Sequence, residues 1–214
     1  MPRFLEACST SPAAALEAER GGASRIELCR DLPCGGLTPE EADIREAVRR
    51  CRIPVNILIR PRPGDFVYSE AEIAAMVRSI HLCREIGAHG VVIGALNKLG
   101  QVDTAAMRTL IAAARPLSIT FHRAFDVCAG PQAALEDIIA LGCDRLLTSG
   151  HEADAYAGRF RLAELVRQAA GRIVIMAGCG IRDWNIAEIE AVSGAPEYHS
   201  SSMTLFRSSP SEVL

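Results

Sequence analysis

The chain has 214 residues, about half of them apolar, with a formal net charge of -3 and a pI near 6.0. That length supports one core and a single domain over 1–214, and the mild acidity removes the electrostatic basis for nucleic-acid or membrane partners. No apolar run approaches the roughly 20 residues of a bilayer span and no signal-peptide apolar region opens the sequence, so the expected compartment is the cytoplasm.

The first strand is expected over 3–8, ending in Glu6-Ala7-Cys8. Ser11-Pro12 then supplies an N-cap with proline at the first helical position, opening a helix to Arg20 that Gly21-Gly22 stops. A second strand over 24–29 repeats the same ending, Glu27-Leu28-Cys29. Period-two alternation puts each glutamate on the face of its cysteine, and leaves Leu5, Ala7, Ile26 and Leu28 for covering helices. Thr38-Pro39-Glu40-Glu41 reads as a capping box opening a helix to about Arg50. The third strand, 54–60, runs into the stiff basic loop Arg60-Pro61-Arg62-Pro63-Gly64-Asp65. Ser69 and Glu72 form another capping box, for a helix to about Ile86.

The short apolar run 90–94 suits a parallel strand buried on both faces. Asp103 caps a helix to about Ala114, and the fifth strand enters the stretch Phe121-His122-Arg123-Ala124-Phe125-Asp126. Gly130-Pro131 leads into the fifth helix, 145–150 is the sixth strand, and 158–170 the sixth helix. The seventh strand, 172–180, ends in Gly178-Cys179-Gly180, Asp183 caps the seventh helix, and 197–201 is the eighth strand. Eight strands alternating with helices predict a (β/α)₈ TIM-like barrel. Only about a dozen residues follow the last strand, so the eighth helix should be short or missing, and a second subunit of a homodimer would cover that side.

In such barrels the strand C-terminal ends carry the chemistry. Those ends bring carboxylates from the first two strands toward basic groups of the third and fifth. As an enzyme site for a small anionic or phosphorylated metabolite, Glu6 or Glu27 would be the acid/base, His122 a proton carrier or electrophile, and Arg123 would join Arg60 and Arg62 on the anion. Gly178, Gly180, Ser200 and Ser201 lie where barrel enzymes commonly hold phosphate. The same charges would also serve as a structural ion-pair network. Lys98, the sole lysine, sits in a turn away from the strand ends, which argues against Schiff-base chemistry, and no nucleophile elbow is present.

The eight cysteines are scattered without a CxxC pair, so neither a disulfide scaffold nor a zinc ribbon is expected. Cys8 and Cys29 read as lying at equal depth on neighbouring strands about 4.8 Å apart, where two thiolates could hold Cu(I) or form a disulfide.

The segments Glu27-Leu28-Cys29, Gly35-Gly36-Leu37-Thr38-Pro39, Ile59-Arg60-Pro61-Arg62, Gly64-Asp65-Phe66, Thr120 to Asp126, Leu147-Thr148-Ser149-Gly150 and His199-Ser200-Ser201 together resemble the CutC family, the copper homeostasis proteins. The resemblance implies a TIM-like barrel, a cytoplasmic location and a role in copper binding, storage or trafficking. It also matches Cys8 and Cys29 to the cysteines proposed as Cu(I) ligands in animal members. Two departures stand out: relatives continue further beyond the eighth strand, and commonly have glycine or alanine where this chain has Cys179.

Overall fold

The computed structural model describes residues 3–201. Eight parallel strands close into a barrel in chain order: β1 Phe4–Ser9, β2 Arg25–Leu28, β3 Val55–Leu58, β4 Gly90–Ile93, β5 Ser118–Phe121, β6 Arg145–Thr148, β7 Val174–Ala177 and β8 Glu197–Ser200. Among the described residues the strands alternate with seven α-helices: α1 Pro12–Arg20, α2 Glu41–Arg50, α3 Glu70–Ile86, α4 Thr104–Ala114, α5 Pro131–Ala140, α6 Arg159–Ala169 and α7 Ile186–Ser193. The expected (β/α)₈ barrel is thus present. The expectation of a short or missing eighth helix falls on 202–214, outside the described residues.

Local capping set several boundaries. The Ser11 hydroxyl accepts from Ala14 N–H, Ser69 and Glu72 complete a reciprocal box, and the Asp103 carboxylate accepts from Ala106 N–H. Two expected caps are corrected. Thr38 does not cap α2, which starts after Glu40; its hydroxyl donates to Arg60 O and accepts from Arg60 N–H, tying the loop before α2 to the end of β3. Asp183 does not cap α7 either, since its carboxylate turns onto Trp184 N–H. Asn185 holds this turn instead, accepting from Arg182 N–H and donating to Gly180 O.

Strand alternation divides the core in two. Ala7, Ile26, Leu28, Ile57, Val91, Ile119, Phe121 and Leu146 join the large cluster beneath the helices, whereas Cys8, Cys29, Leu58 and Val92 form a small separate cluster. Gly90 makes room for an interior polar side chain, because a Cβ there would stand 2.5 Å from Asn56 Oδ1. Gly178 does the same for Leu147, whose Cδ1 would meet a Cβ at 2.4 Å.

A charged layer crosses the barrel. Arg25 on β2 contacts Glu6 on β1 through Nε and donates from Nη2 to Glu197 on β8 at 2.6 Å; Arg145 on β6 reaches the same Glu197 oxygen at 2.8 Å. Glu6, Arg25 and Glu197 are buried and Arg145 is half-buried, and burying charges is tolerable only when they are paired. Removing the shared carboxylate leaves Arg25 with Glu6 alone and takes from Arg145 the ion pair it makes with Glu197. Glu197→Ala is therefore expected to cost about 3–5 kcal/mol of stability, read as a fall in the guanidinium chloride midpoint; a midpoint near that of the parent contradicts the shared-anion role.

Candidate functional site

A pocket of about 400 Å³ opens at the barrel mouth. Cys8 and Glu27 enter it from β1 and β2, with Cys29 just past β2, Arg60 past β3, His122 past β5 and His199 on β8. The alternation read from the two Glu-x-Cys repeats places these side chains inside, but the expected equal depth of the cysteines is corrected. The β1–β2 register sets Cys8 opposite Glu27, and Cys29 lies two residues further along. The stagger of the closed barrel produces this offset. The thiols nevertheless converge, with Sγ atoms 3.6 Å apart, and both are free.

Cys8, Glu27 and His199 offer ligand atoms that all lie within 4.8 Å of one another, a cluster that could hold a metal ion. Cys8 Sγ also stands 3.8 Å from Glu27 Oε1. Below them, His199 Nδ1 is 2.8 Å from Glu6 Oε1. A carboxylate on one ring nitrogen orients a histidine and leaves the other nitrogen for a ligand, the arrangement common behind metal-binding histidines. His199 is the residue that the strand reading left out of the metal set, and its spacing of two from Glu197 was the available signal.

The ionisation states follow from these contacts. Burial alone would raise Glu6, but the His199 hydrogen bond and the Arg25 guanidinium outweigh it and lower the carboxyl to about 2. Glu6 does not line the pocket and is fully occupied by Arg25 and His199. Glu27 has no direct salt-bridge partner among the described residues, and burial lifts it to about 7, against partial offset by His199 and Arg25. Of the two glutamates, only Glu27 lies on the pocket and changes charge near neutrality. Burial disfavours the His199 cation, but the Glu27 and Glu6 carboxylates reverse this and raise it. The contact with Cys29, followed by burial and Glu27, pushes the Cys8 thiol well above its usual value.

His122 behaves in the opposite way. Its Nδ1 accepts from Ala124 N–H, opening a short 3-10 turn at Arg123–Val127. Burial, helped by Arg60, lowers it to about 3. The ring is therefore neutral, and its proton belongs to Nε2. Phe66 lies against both partners, 5.0 Å from the His122 ring and 4.9 Å from the Arg60 guanidinium.

The remaining expected site residues divide. Arg123 lines the pocket but pairs with Asp126 at 2.8 Å. That carboxylate also accepts from the Thr148 hydroxyl and Ser149 N–H, so Asp126 fastens the β5 and β6 ends together. Arg62 is off the pocket; its guanidinium holds Glu72 at 2.5 Å and Asp65 at 2.9 Å, because the first turn of α3 presents a carboxylate to the loop. Gly178 is also off the pocket, and its N–H donates to Thr148 O within the sheet. Gly180, Ser200 and Ser201 line the pocket, with the Ser200 hydroxyl donating to Ile181 O at 2.8 Å. Cys179 has φ of 74°, in the left-handed region that favours glycine.

Fold and site together define a (β/α)₈ barrel with a thiol, carboxylate and imidazole cluster at its C-terminal mouth. The sequence profile of the CutC family matches residues 3–204, and the chain belongs to that family. It is 52% identical over 206 residues to a family protein CutC from Parabacteroides distasonis, covering 96% of this chain and 85% of that protein. A family protein CutC from Xanthomonas axonopodis pv. citri is 52% identical over 197 residues, with 92% and 82% covered. The crystal structure of a Streptococcus agalactiae protein described as a candidate copper homeostasis protein CutC superposes with a TM-score of 0.90 at 30% identity, covering 94% of this chain and all of that one. An aldolase at 17% identity and a TM-score of 0.70 shares the fold alone.

The raised Glu27 has a measurable consequence. Protonated Glu27 stabilises the fold below its unfolded value of 4.5, and that contribution is lost as pH rises through about 7. Glu27→Gln should therefore gain stability relative to the parent across this window and hold a constant advantage above it. Denaturation midpoints taken through the window would refute the assignment if the difference between the two proteins does not change with pH.

Proposed function

We propose that this protein binds Cu(I) as a copper homeostasis protein, through the thiolates of Cys8 and Cys29 with His199 and Glu27 adjoining. The observation that carries the reading is the 3.6 Å approach of the two thiols beside an imidazole already oriented by Glu6. Soft sulfur ligands favour Cu(I). With metal–sulfur bonds of about 2.3 Å, that spacing subtends roughly 100° at the metal, too narrow for a linear two-sulfur site. A third ligand is therefore part of the proposal, and the free nitrogen of His199 is the suitably placed donor. Both thiols must lose protons on binding, so affinity falls as pH falls.

The likeness to the Streptococcus agalactiae protein, described as a candidate copper homeostasis protein, supports the copper role. We place the activity in the cytoplasm, where free thiols persist. No helix among the described residues is long and apolar enough to cross a membrane. A homodimer is the proposed working form, checked by light scattering in solution.

The deciding experiment is anaerobic Cu(I) titration against a competing chelator. The parent should take one equivalent tightly, the Cys8→Ser, Cys29→Ser variant should lose that binding, and His199→Gln should weaken it about 10–100-fold. Equal affinity of parent and double variant would refute the site.

A further inference from the structure

The thiol cluster leaves half of the pocket without a role. Arg60 is only 5% exposed, yet it enters no salt bridge among the described residues. Its Nη1 donates to the carbonyls of Cys34 and Gly36 and its Nη2 to that of Gly64. These bonds fix the guanidinium without neutralising it. An arginine cannot shed its proton, so a buried, uncompensated positive charge faces the pocket.

Beside it stands His122, also buried, whose Nε2 has no hydrogen-bond partner among the described residues. With Nδ1 occupied by Ala124 N–H, Nε2 is the donor. Buried donors without partners are rare in native structures and call for a ligand, ion or water. Phe66 wedges against both side chains and fixes their mutual position. Glu27 Oε2 is another buried atom on the pocket with no partner among the described residues.

We propose that Arg60 and His122 form a receptor for a small organic carboxylate, separate from the thiols of Cys8 and Cys29. One uncompensated cation and one neutral donor match a monoanionic oxygen pair. A phosphate would call for several further N–H donors. Gly178 N–H, expected to supply one, is spent on Thr148 O, and the Ser200 hydroxyl donates to Ile181 O. The remaining lining includes Leu32, Leu58, Phe66 and Val127, which suits a carbon body. A volume of about 400 Å³ lies in the range of metabolite pockets and far exceeds what a bare ion occupies. The receptor belongs to β3 and β5, whereas the thiols belong to β1 and β2, so it does not depend on copper binding.

The test uses the metal-free full chain with isotope-labelled histidine. Pyruvate, malonate and succinate are titrated separately to about 10 mM, where even millimolar affinity registers, with inorganic phosphate as the competing oxyanion. The expected result is a saturable shift of the His122 Nε2 resonance with at least one carboxylate. Calorimetry should then show affinity at least about tenfold weaker in Arg60→Gln and in His122→Asn, the latter keeping an acceptor for Ala124 N–H, and unchanged in Cys8→Ser, Cys29→Ser. No shift with any carboxylate, a shift with phosphate alone, or undiminished binding by folded His122→Asn overturns the receptor. Loss of carboxylate binding in the thiol variant overturns its independence. Cu(I) titration of the same proteins is read separately, so either site can fail while the other stands.

Discussion

The interaction on which the barrel depends is Arg25 held between Glu6 and Glu197. It links β2 to both strands of the closing seam, β1 and β8, and through Glu197 to Arg145 on β6. Burying this many charges is favourable only while each keeps its partners. The layer also sets the chemistry above it. Arg25 helps keep Glu6 ionised, and ionised Glu6 orients His199. Glu27, one strand away and without a direct salt-bridge partner among the described residues, is left to burial and stays protonated until near neutrality. The division of labour between two glutamates of the same short motif thus comes from where one arginine sits.

Much of the architecture was legible because it is written in short-range chemistry. Ser11-Pro12, Ser69 with Glu72, and Asp103 carry their own hydrogen-bond acceptors a turn away from the donors they satisfy. Thr38 and Asp183 look the same in sequence, yet the Thr38 hydroxyl found a tertiary partner in the Arg60 backbone and Asp183 turned to its own neighbour. Alternation identified which face of β1 and β2 points inward, since period two is local. The depth of Cys29 relative to Cys8 was not legible, because register follows from closure of the whole barrel.

The site shows the same limit. Arg60 and Arg62 are two residues apart and look interchangeable, but Arg62 meets the carboxylate of Glu72 while Arg60 meets backbone carbonyls and the Phe66 ring. Nothing in the spacing separates those outcomes. His199 took its role from Glu6, 193 residues away in the chain. Its position on the inward face of a short terminal strand was readable, but its carboxylate partner came only with closure.

The pocket is electrically two-sided, and this bears on how one cavity can serve two kinds of ligand. Around Cys8 and Cys29 the potential ligands are thiols, a carboxyl and an imidazole, a set that becomes anionic as protons leave and so suits a cation. Around Arg60 and His122 the groups are a fixed cation and a neutral N–H donor, which suit an anion. A Cu(I) ion held by the two thiolates would give the first set its partner and would add no hydrogen-bond acceptor for Arg60 or His122. An anion at Arg60 would satisfy that charge without supplying any thiol with a partner. Each half therefore retains its own unsatisfied chemistry whatever occupies the other, and a site for metal alone accounts for only one of them.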